Sequence, residues 1–303
     1  MTSNQPCQLC CKETELCNSH IIPKFITNYL KDSSATGFLR CSDSNTPNLR
    51  VQDGKKERML CSDCEALFST WETTFANKIF GPLNNNDNIM PFKYESWLLK
   101  FAVSVSWRVL TSYDIYSLPG ISETGKALAA KALQTWRGFL LDELPHPCSF
   151  EQHMIFTSNI RLNLSDDLPP NWNQFLNRGT HMNMCHHEGH PLYIYTKMGG
   201  VTLLGFIGIA CPRHWVGTKI HVKDGVIGNS TNVPIEFLGY MKERAREELS
   251  EQRKISPKKE GKIDAAYRKD PDRSANSASF MALHKDVLVF GEKAVFGKKD
   301  NET

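Results

Sequence analysis

The fold of this 303-residue chain is decided by two cysteine steps, Cys7-Gln8-Leu9-Cys10 and Cys61-Ser62-Asp63-Cys64, which bracket Ser19-His20-Ile21-Ile22-Pro23. Two intervening residues let both thiolates of a step reach one ion from a single tight turn. Two such steps supply the four ligands of a closed structural zinc site, and the roughly 50 residues between them require an inserted hairpin or loop. A disulfide framework is the alternative, but regular pairs in a chain without a secretory signal favour zinc. The predicted zinc ligands are Cys7, Cys10, Cys61 and Cys64.

The composition is that of an ordinary soluble protein. The length suits about two domains, and a net charge of +3 is too small to indicate a nucleic-acid-binding protein by itself. The first residues are polar, so we expect no signal peptide. The longest apolar run, Val201 to Ala210, has about half the length that a bilayer requires. We therefore expect a cytoplasmic protein with no membrane partner.

A helix is predicted to start at the second cysteine step and to continue from Glu65 to Phe80. Its apolar residues recur every four positions and form one stripe, which consists of Leu67, Trp71, Phe75 and Ile79. Gly81-Pro82 is the predicted end of the helix. A zinc knuckle, a hairpin and a helix whose first turn carries the last two ligands make a treble-clef ββα finger, which we assign to residues 1–83.

This finger resembles the HNH, or ββα-metal, endonucleases, which are built on a zinc-bound treble clef. The resemblance covers about residues 7–80 and rests on both cysteine steps, Ser19-His20-Ile21-Ile22-Pro23, Leu60-Cys61 and Cys64-Glu65. The usual family motif is an Asp-His pair before an aliphatic residue and proline, with Asn or His directly after the last cysteine. The resemblance implies a metal-dependent hydrolase of nucleic acid with His20 as the general base. It also implies that Glu65 holds a catalytic Mg²⁺ or Mn²⁺ and that Ser19 stands in the place of the Asp.

Two positions depart from the family motif at the catalytic metal. Ser19 lacks the charged oxygen that a hard cation prefers, and Glu65, in place of an amide or imidazole, would return that charge to the site. One base with a pKa near neutral and one cation suffice for phosphodiester hydrolysis. The alternative is that His20 only packs within the hairpin. The family's orienting Asn has no obvious counterpart; the residues considered for it are Glu57, Asn45 and Asn48.

Residues 84–303 are predicted to form an α+β domain that follows a polar linker over residues 84–88. Helices are expected within about residues 95–145: a buried one from Trp97 to Leu110, and a second that ends near Leu140. A mostly antiparallel sheet is expected within about residues 152–230, with Met198-Gly199-Gly200 as a hairpin turn. Its predicted strands are Met154–Phe156, Leu192–Tyr195, Val201–Ala210 and Lys219–Val222.

Two arginines interrupt these helices, Arg108 in the first and Arg137 in the second. A buried arginine requires an internal carboxylate or a nucleic-acid phosphate as its partner, and the internal pair is the more common outcome.

A segment rich in histidine and cysteine raises the question of a second metal site. It contains His181, Cys185, His186, His187 and His190, followed by Cys211-Pro212-Arg213-His214. The irregular spacing favours a loop whose histidines are solvated or bind phosphate.

The C-terminal part changes from charged to apolar. A charged helix is predicted from Ile235 to Arg253, after the start signal Asn232-Val233-Pro234. Lys254 to Ser277 has almost no large apolar residue, so the charged helix and a mobile segment are assigned to about residues 234–277. That segment is a solvated tail or a basic arm that touches phosphate. Two apolar runs, Phe280–Leu283 and Val287–Phe290, predict a C-terminal strand.

The sequence thus predicts a metal-dependent endonuclease that hydrolyses phosphodiester bonds in nucleic acid, with DNA as the expected partner. The alternative is a noncatalytic zinc-finger module that binds nucleic acid or protein. A toxin or defence effector kept silent until a partner arrives is a third possibility, drawn from the resemblance alone. A protein partner or a homo-oligomer is left open.

Overall fold

The computed structural model is an α+β protein with antiparallel sheets, as predicted. It describes residues 4–41, 49–85, 91–157, 160, 167–185, 192–208, 213, 215–228 and 233–296. The strands are β1 (Gln5–Pro6), β2 (Glu13–Thr14), β3 (Cys17–His20), β4 (Leu39–Cys41), β5 (Leu49–Val51), β6 (Lys56–Leu60), β7 (Phe92–Glu95), β8 (Gln152–Phe156), β9 (Thr180–Cys185), β10 (Tyr193–Met198), β11 (Val201–Phe206) and β12 (Asp224–Ile227). The helices are α1 (Lys24–Asp32), α2 (Ser62–Phe75), α3 (Gly81–Asn85), α4 (Trp97–Thr111), α5 (Glu123–Leu140), α6 (Trp172–Asn177), α7 (Ile235–Arg253), α8 (Pro257–Lys269), α9 (Pro271–Ala275), α10 (Ala278–Phe290) and α11 (Lys293–Phe296).

The chain divides into two compact units. The first unit consists of Met1–Lys24, Gly54–Ile160 and Thr180–Asn232, and the second of Phe25–Asp53, Arg161–Gly179 and Val233–Thr303. Both units draw segments from both sides of the predicted boundary at residues 83 and 84. Compactness is a different property from independent folding, so the two-domain division by sequence stays a prediction.

The core of the first unit is a four-stranded antiparallel sheet with helix α4 packed against it and helix α5 packed on α4. The strand order is β8-β11-β10-β9, and Gly199, with φ of 59°, makes the predicted hairpin turn between β10 and β11. The predicted buried helix is α4, which packs against the strands, and α5 packs on α4. A Cβ atom on Gly205 would lie 2.5 Å from Ser106 Oγ. Glycine therefore permits the close approach of α4 to β11.

Two predictions about this sheet are wrong. The residues predicted as a strand, Lys219–Val222, form only one isolated bridge between His153 and Lys219, and the neighbouring strand is β12, which pairs with β7. The segment Thr180–Cys185, predicted as part of a loop, is the edge strand β9. Pairing with β10 supplies its backbone partners, and no local pattern in the sequence reveals that pairing.

The segment predicted to be mobile is helical. Helices α8 and α9 occupy most of Lys254–Ser277, and each has a proline in its first turn. Asp270 Oδ1 accepts a hydrogen bond of 2.9 Å from the amide of Arg273 and so caps α9. These start signals outweigh the lack of large apolar residues. The preceding helix, α7, has the predicted bounds.

The predicted C-terminal strand is also wrong, because these residues form helix α10. Ser277 Oγ caps its first turn by accepting a hydrogen bond of 3.2 Å from the amide of Phe280. Asp286 is fully buried in the middle of this helix and accepts hydrogen bonds from the amides of Asn173 (2.6 Å) and Gln174 (3.0 Å) at the start of α6. Short apolar runs do not distinguish a strand from a helix, and these capping contacts favour the helix.

Candidate metal centre and catalytic residues

The four predicted zinc ligands come together in the first unit. The Sγ atoms of Cys7, Cys10, Cys61 and Cys64 all lie within 4.8 Å of one another. The first pair is carried by the turn between β1 and β2, where Cys11 adopts a left-handed φ of 62°. In the second pair, Cys61 is the N-cap of α2 and Cys64 lies in its first turn. These four thiols could hold a metal ion such as zinc.

The electrostatics of the cluster suit a cation. Burial opposes ionisation of Cys7, but hydrogen bonds from the backbone amides of Cys10, Cys61 and Leu9 outweigh it and lower the pKa of its thiol to about 7. Burial and the neighbouring sulfurs raise the pKa of Cys64 well above its ordinary value. Four sulfurs this close cannot all ionise without a compensating positive charge, which a bound Zn²⁺ supplies.

The antiparallel pair of strands β3 and β6, which is called the hairpin below although α1, β4 and β5 lie between the two strands in sequence, joins the two halves of the cluster. Strands β3 and β6 pair antiparallel, with His20 opposite Lys56, Ser19 opposite Glu57, and a register shift between Cys17 and Asn18. The amide of Gln8 donates to the carbonyl oxygen of Met59 at 3.0 Å, which ties the first cysteine turn to β6. The insertion that the spacing required therefore contains this hairpin, together with α1, β4 and β5.

Ser19 is directed into the interior of the hairpin. Its side chain is fully buried, and its Oγ accepts a hydrogen bond of 3.3 Å from the amide of Leu60. Successive side chains of a strand point to opposite faces, so Ser19 and His20 occupy different faces of β3. The structure thus gives Ser19 a role in the backbone of the hairpin, while its predicted role at a metal stays a prediction.

His20 is half-buried at the end of β3. Its carbonyl oxygen accepts a hydrogen bond of 2.9 Å from Arg108 Nη1, and the next amide, that of Ile21, donates to the carbonyl oxygen of Lys55 at 3.1 Å. The peptide bond between His20 and Ile21 is therefore held at both its oxygen and its nitrogen.

Glu65 is half-buried in the first turn of α2, directly after the last cysteine. Its Oε1 is buried and, within the described residues, has no hydrogen-bond partner. Burial, and after it the negative charge of Glu65, raises the pKa of the Cys17 thiol at the start of β3. The carboxylate charge thus acts on the strand that carries His20.

Helix α2 differs from its prediction in two details. Phe68, rather than Leu67, is the buried member of the apolar stripe, together with Phe75 and Ile79. The chain does not leave the helix at Gly81-Pro82, because a π-helical turn over Ala76–Phe80 leads into α3. The wider turn accommodates a proline that has no amide hydrogen to donate.

Both arginines that interrupt the predicted helices have internal carboxylate partners, which is the outcome that the sequence favours. Arg137 Nη1 lies 3.3 Å from Glu143 Oε2, and Arg108 Nη2 lies 2.7 Å from Glu72 Oε1. The contact between Arg108 and the backbone of His20 was missed from the sequence. The only signal was the charged residue within an apolar helix, which predicts a partner without naming it.

Of the remaining candidate residues, some lie in the described part of the chain and others lie outside it. Glu57 forms an ion pair of 2.7 Å with Lys55, whereas Asn45 and Asn48 lie outside the described residues. His181 and Cys185 of the segment rich in histidine and cysteine lie on β9. Its other members, except Arg213, lie outside the described residues. Among the residues described, the four cysteines are the only group of three or more potential ligands that could hold a metal.

No helix of the described residues is long and apolar enough to cross a membrane. Comparison with known proteins finds no match to a family model, to a curated protein or to a solved structure.

Proposed function

We propose that this protein is a metal-dependent endonuclease of the HNH type, with a zinc-bound treble-clef finger that positions the catalytic residues. The close cluster of four thiols, the paired strands β3 and β6, and the helix that begins at the second cysteine pair support the finger. DNA is the proposed substrate, because the residues resemble a family that cleaves it.

The observation that carries this proposal is the unpartnered Oε1 of Glu65. A buried acceptor without a donor costs free energy, about 1–3 kcal/mol for a neutral group and more for a charged one. A bound divalent cation would remove that cost, because carboxylate oxygens are the ligands that Mg²⁺ and Mn²⁺ prefer. The carboxylate follows the last cysteine, where the family carries a residue that holds the catalytic metal.

The roles follow from the chemistry of phosphodiester hydrolysis. His20 accepts the proton of the attacking water, since an imidazole is the side chain whose ordinary pKa is nearest to neutral. Glu65 would hold Mg²⁺ or Mn²⁺, which supplies stabilisation of the charge on the departing oxygen. Ser19, with its Oγ already accepting a hydrogen bond, contributes through the hairpin backbone in this proposal.

Helix α8 in the second unit supports a nucleic-acid partner. Lys258, Lys262 and Lys269 lie within about 40° of one another around the helix axis, whereas Glu260 and Asp264 lie on the opposite side. No residue of α8 is buried, so this lysine face is open to solvent. Its charge is complementary to a phosphate backbone, and its contribution would depend on salt.

The decisive experiment compares cleavage of plasmid DNA and of RNA in Mg²⁺ or Mn²⁺ by the full chain and by three variants. We expect His20→Ala and Glu65→Ala to abolish cleavage while one zinc per chain is retained. Asp63→Ala is the matched control, because Asp63 is an exposed acid in the same helical turn, and it should cleave normally. Persistent cleavage by Glu65→Ala would overturn the assignment.

The noncatalytic alternative is separated by binding measured without cleavage. Without added Mg²⁺ or Mn²⁺ and without chelator, charge reversal of the three lysines of α8 should weaken DNA binding and reduce the slope of log K against log salt by about 2–3. Glu260→Gln with Asp264→Asn is the control on the opposite face. If the full chain binds DNA but never cleaves it in either metal, the module is the better description.

A further inference from the structure

We infer that Arg108 and Glu72 form a positioning pair that holds His20 in place from outside the finger motif. The inference rests on the proposed function, because it concerns the same catalytic histidine. It adds a residue from α4, which lies beyond the part of the chain that resembles the family.

Two guanidinium nitrogens of Arg108, Nε and Nη1, donate hydrogen bonds, whereas Nη2 makes an ion-pair contact with no hydrogen bond within the described residues. The side chain is 2% exposed. Its Nη1 donates to the carbonyl oxygen of His20 at 2.9 Å, and its Nε donates to the carbonyl oxygen of Ser104 at 3.3 Å. Its Nη2 makes an ion-pair contact of 2.7 Å with Glu72 Oε1, and its Cζ lies 5.3 Å from the ring centroid of Phe68.

This arrangement is more specific than a buried ion pair requires. A carboxylate and one backbone oxygen of its own helix would compensate the buried charge. The third contact instead reaches across 88 residues of sequence to the peptide of His20. A guanidinium has donors in a fixed plane, so a group anchored at two points can hold a third at a set position. Arg108 therefore fixes the peptide bond that follows His20 and, with it, the backbone from which the imidazole projects.

Glu72 links this device to the proposed metal ligand. Glu65 and Glu72 are seven residues apart on α2, which is close to two helical turns, so they lie on the same face. One rigid helix thus carries the carboxylate proposed to hold the cation and the carboxylate that anchors the arginine behind His20. If Glu65 holds the cation, that helix and Arg108 would together position it relative to His20.

The test measures cleavage and, separately, the state of the His20 ring. For folded Arg108→Met with one zinc per chain, we expect kcat to fall about 10- to 100-fold with KM unchanged within about twofold. Arg108→Lys should not restore kcat, because an ammonium lacks the planar fork. Glu72→Gln, which keeps the shape of the side chain, should give a smaller fall. Arg137→Met, which removes an ion pair from the neighbouring helix, is the control and should leave kcat unchanged.

The ring of His20 provides a result that does not depend on activity. We expect the NMR signal of its Cε1–H to shift or broaden in Arg108→Met and Glu72→Gln, but not in Arg137→Met. An unchanged signal in both variants, or a kcat within twofold of the unaltered chain in folded Arg108→Met, would overturn the inference and leave Arg108 as a core ion pair. If the unaltered chain cleaves nothing, the proposed function fails while the ring signal still decides whether Arg108 positions His20.

Discussion

The cysteine finger (β1–β3, β6 and the start of α2) and the helix–sheet layer (α4 and strands β8–β11) belong to the same compact unit but are ordered by different forces. In the finger, strands of two to five residues converge on four thiols. In the layer, α4 buries twelve of its fifteen residues, and β8 and β11 are buried along their whole length. We expect the first region to depend on a cation that the four thiols could hold, and the second to depend on the exclusion of water.

The largest effect should come from removing the metal. Structural zinc contributes about 10–16 kcal/mol to the folding of small fingers at neutral pH. Chelation, or Cys61→Ser, should release the zinc and abolish amide-exchange protection in β1–β3 and β6, while α4 and β11 stay protected. Cys148→Ser, an exposed cysteine outside the cluster, is the control. Unchanged protection in the metal-free finger would contradict this difference between the regions.

The next largest effect should come from the layer. Phe101 on α4 is fully buried, and its ring stacks on that of Phe75 with centroids 4.0 Å apart. Phe101→Ala should lower the free energy of unfolding by about 3–5 kcal/mol, because it removes apolar burial and leaves a cavity. Denaturant unfolding measures the loss, and zinc content should not change. Loss of the zinc in this variant would show that the finger depends on the layer as well as on its cation.

Acid should weaken the layer through His153. Burial lowers the pKa of His153 to about 4, against the opposing effect of Glu151. Between about pH 6.5 and pH 4 the unfolded chain therefore binds a proton that the folded chain does not, and the free energy of unfolding should fall by about 3 kcal/mol as the pH decreases through this range. The amides of β8 and β11 should lose exchange protection accordingly. In His153→Gln, which cannot titrate, this part of the pH dependence should disappear.

The smallest effect is expected at Ser19 in the finger. Ser19→Ala removes the acceptor for the amide of Leu60 and should cost about 1–2 kcal/mol of unfolding free energy. If Ser19 acts through the hairpin only, cleavage by the folded variant should persist. Loss of all cleavage with the fold and zinc intact would place Ser19 at the catalytic metal after all.

The accuracy of the sequence predictions depended on the range of the interactions involved. The two cysteine steps and α4 were predicted because each is local: ligand spacing decides each step, and continuous apolar burial decides α4. The approach of the two steps, by contrast, depends on the pairing of β3 with β6. Helix α10 was predicted as a strand, because its short apolar runs fit either structure and the buried contact of Asp286 with α6 is over a hundred residues away in sequence. Strand β9 was missed for a similar reason, since only its partner β10 makes it a strand.

By itself, the sequence identified the four candidate ligands, because the geometry of each tight cysteine step is local, whereas His20 and Glu65 became candidates through the resemblance to a family. Tertiary structure alone decided that Ser19 is directed inward and that Arg108 reaches His20. Those contacts depend on how α2, α4 and the hairpin pack, and packing is set by the combined burial of many residues that no short motif contains.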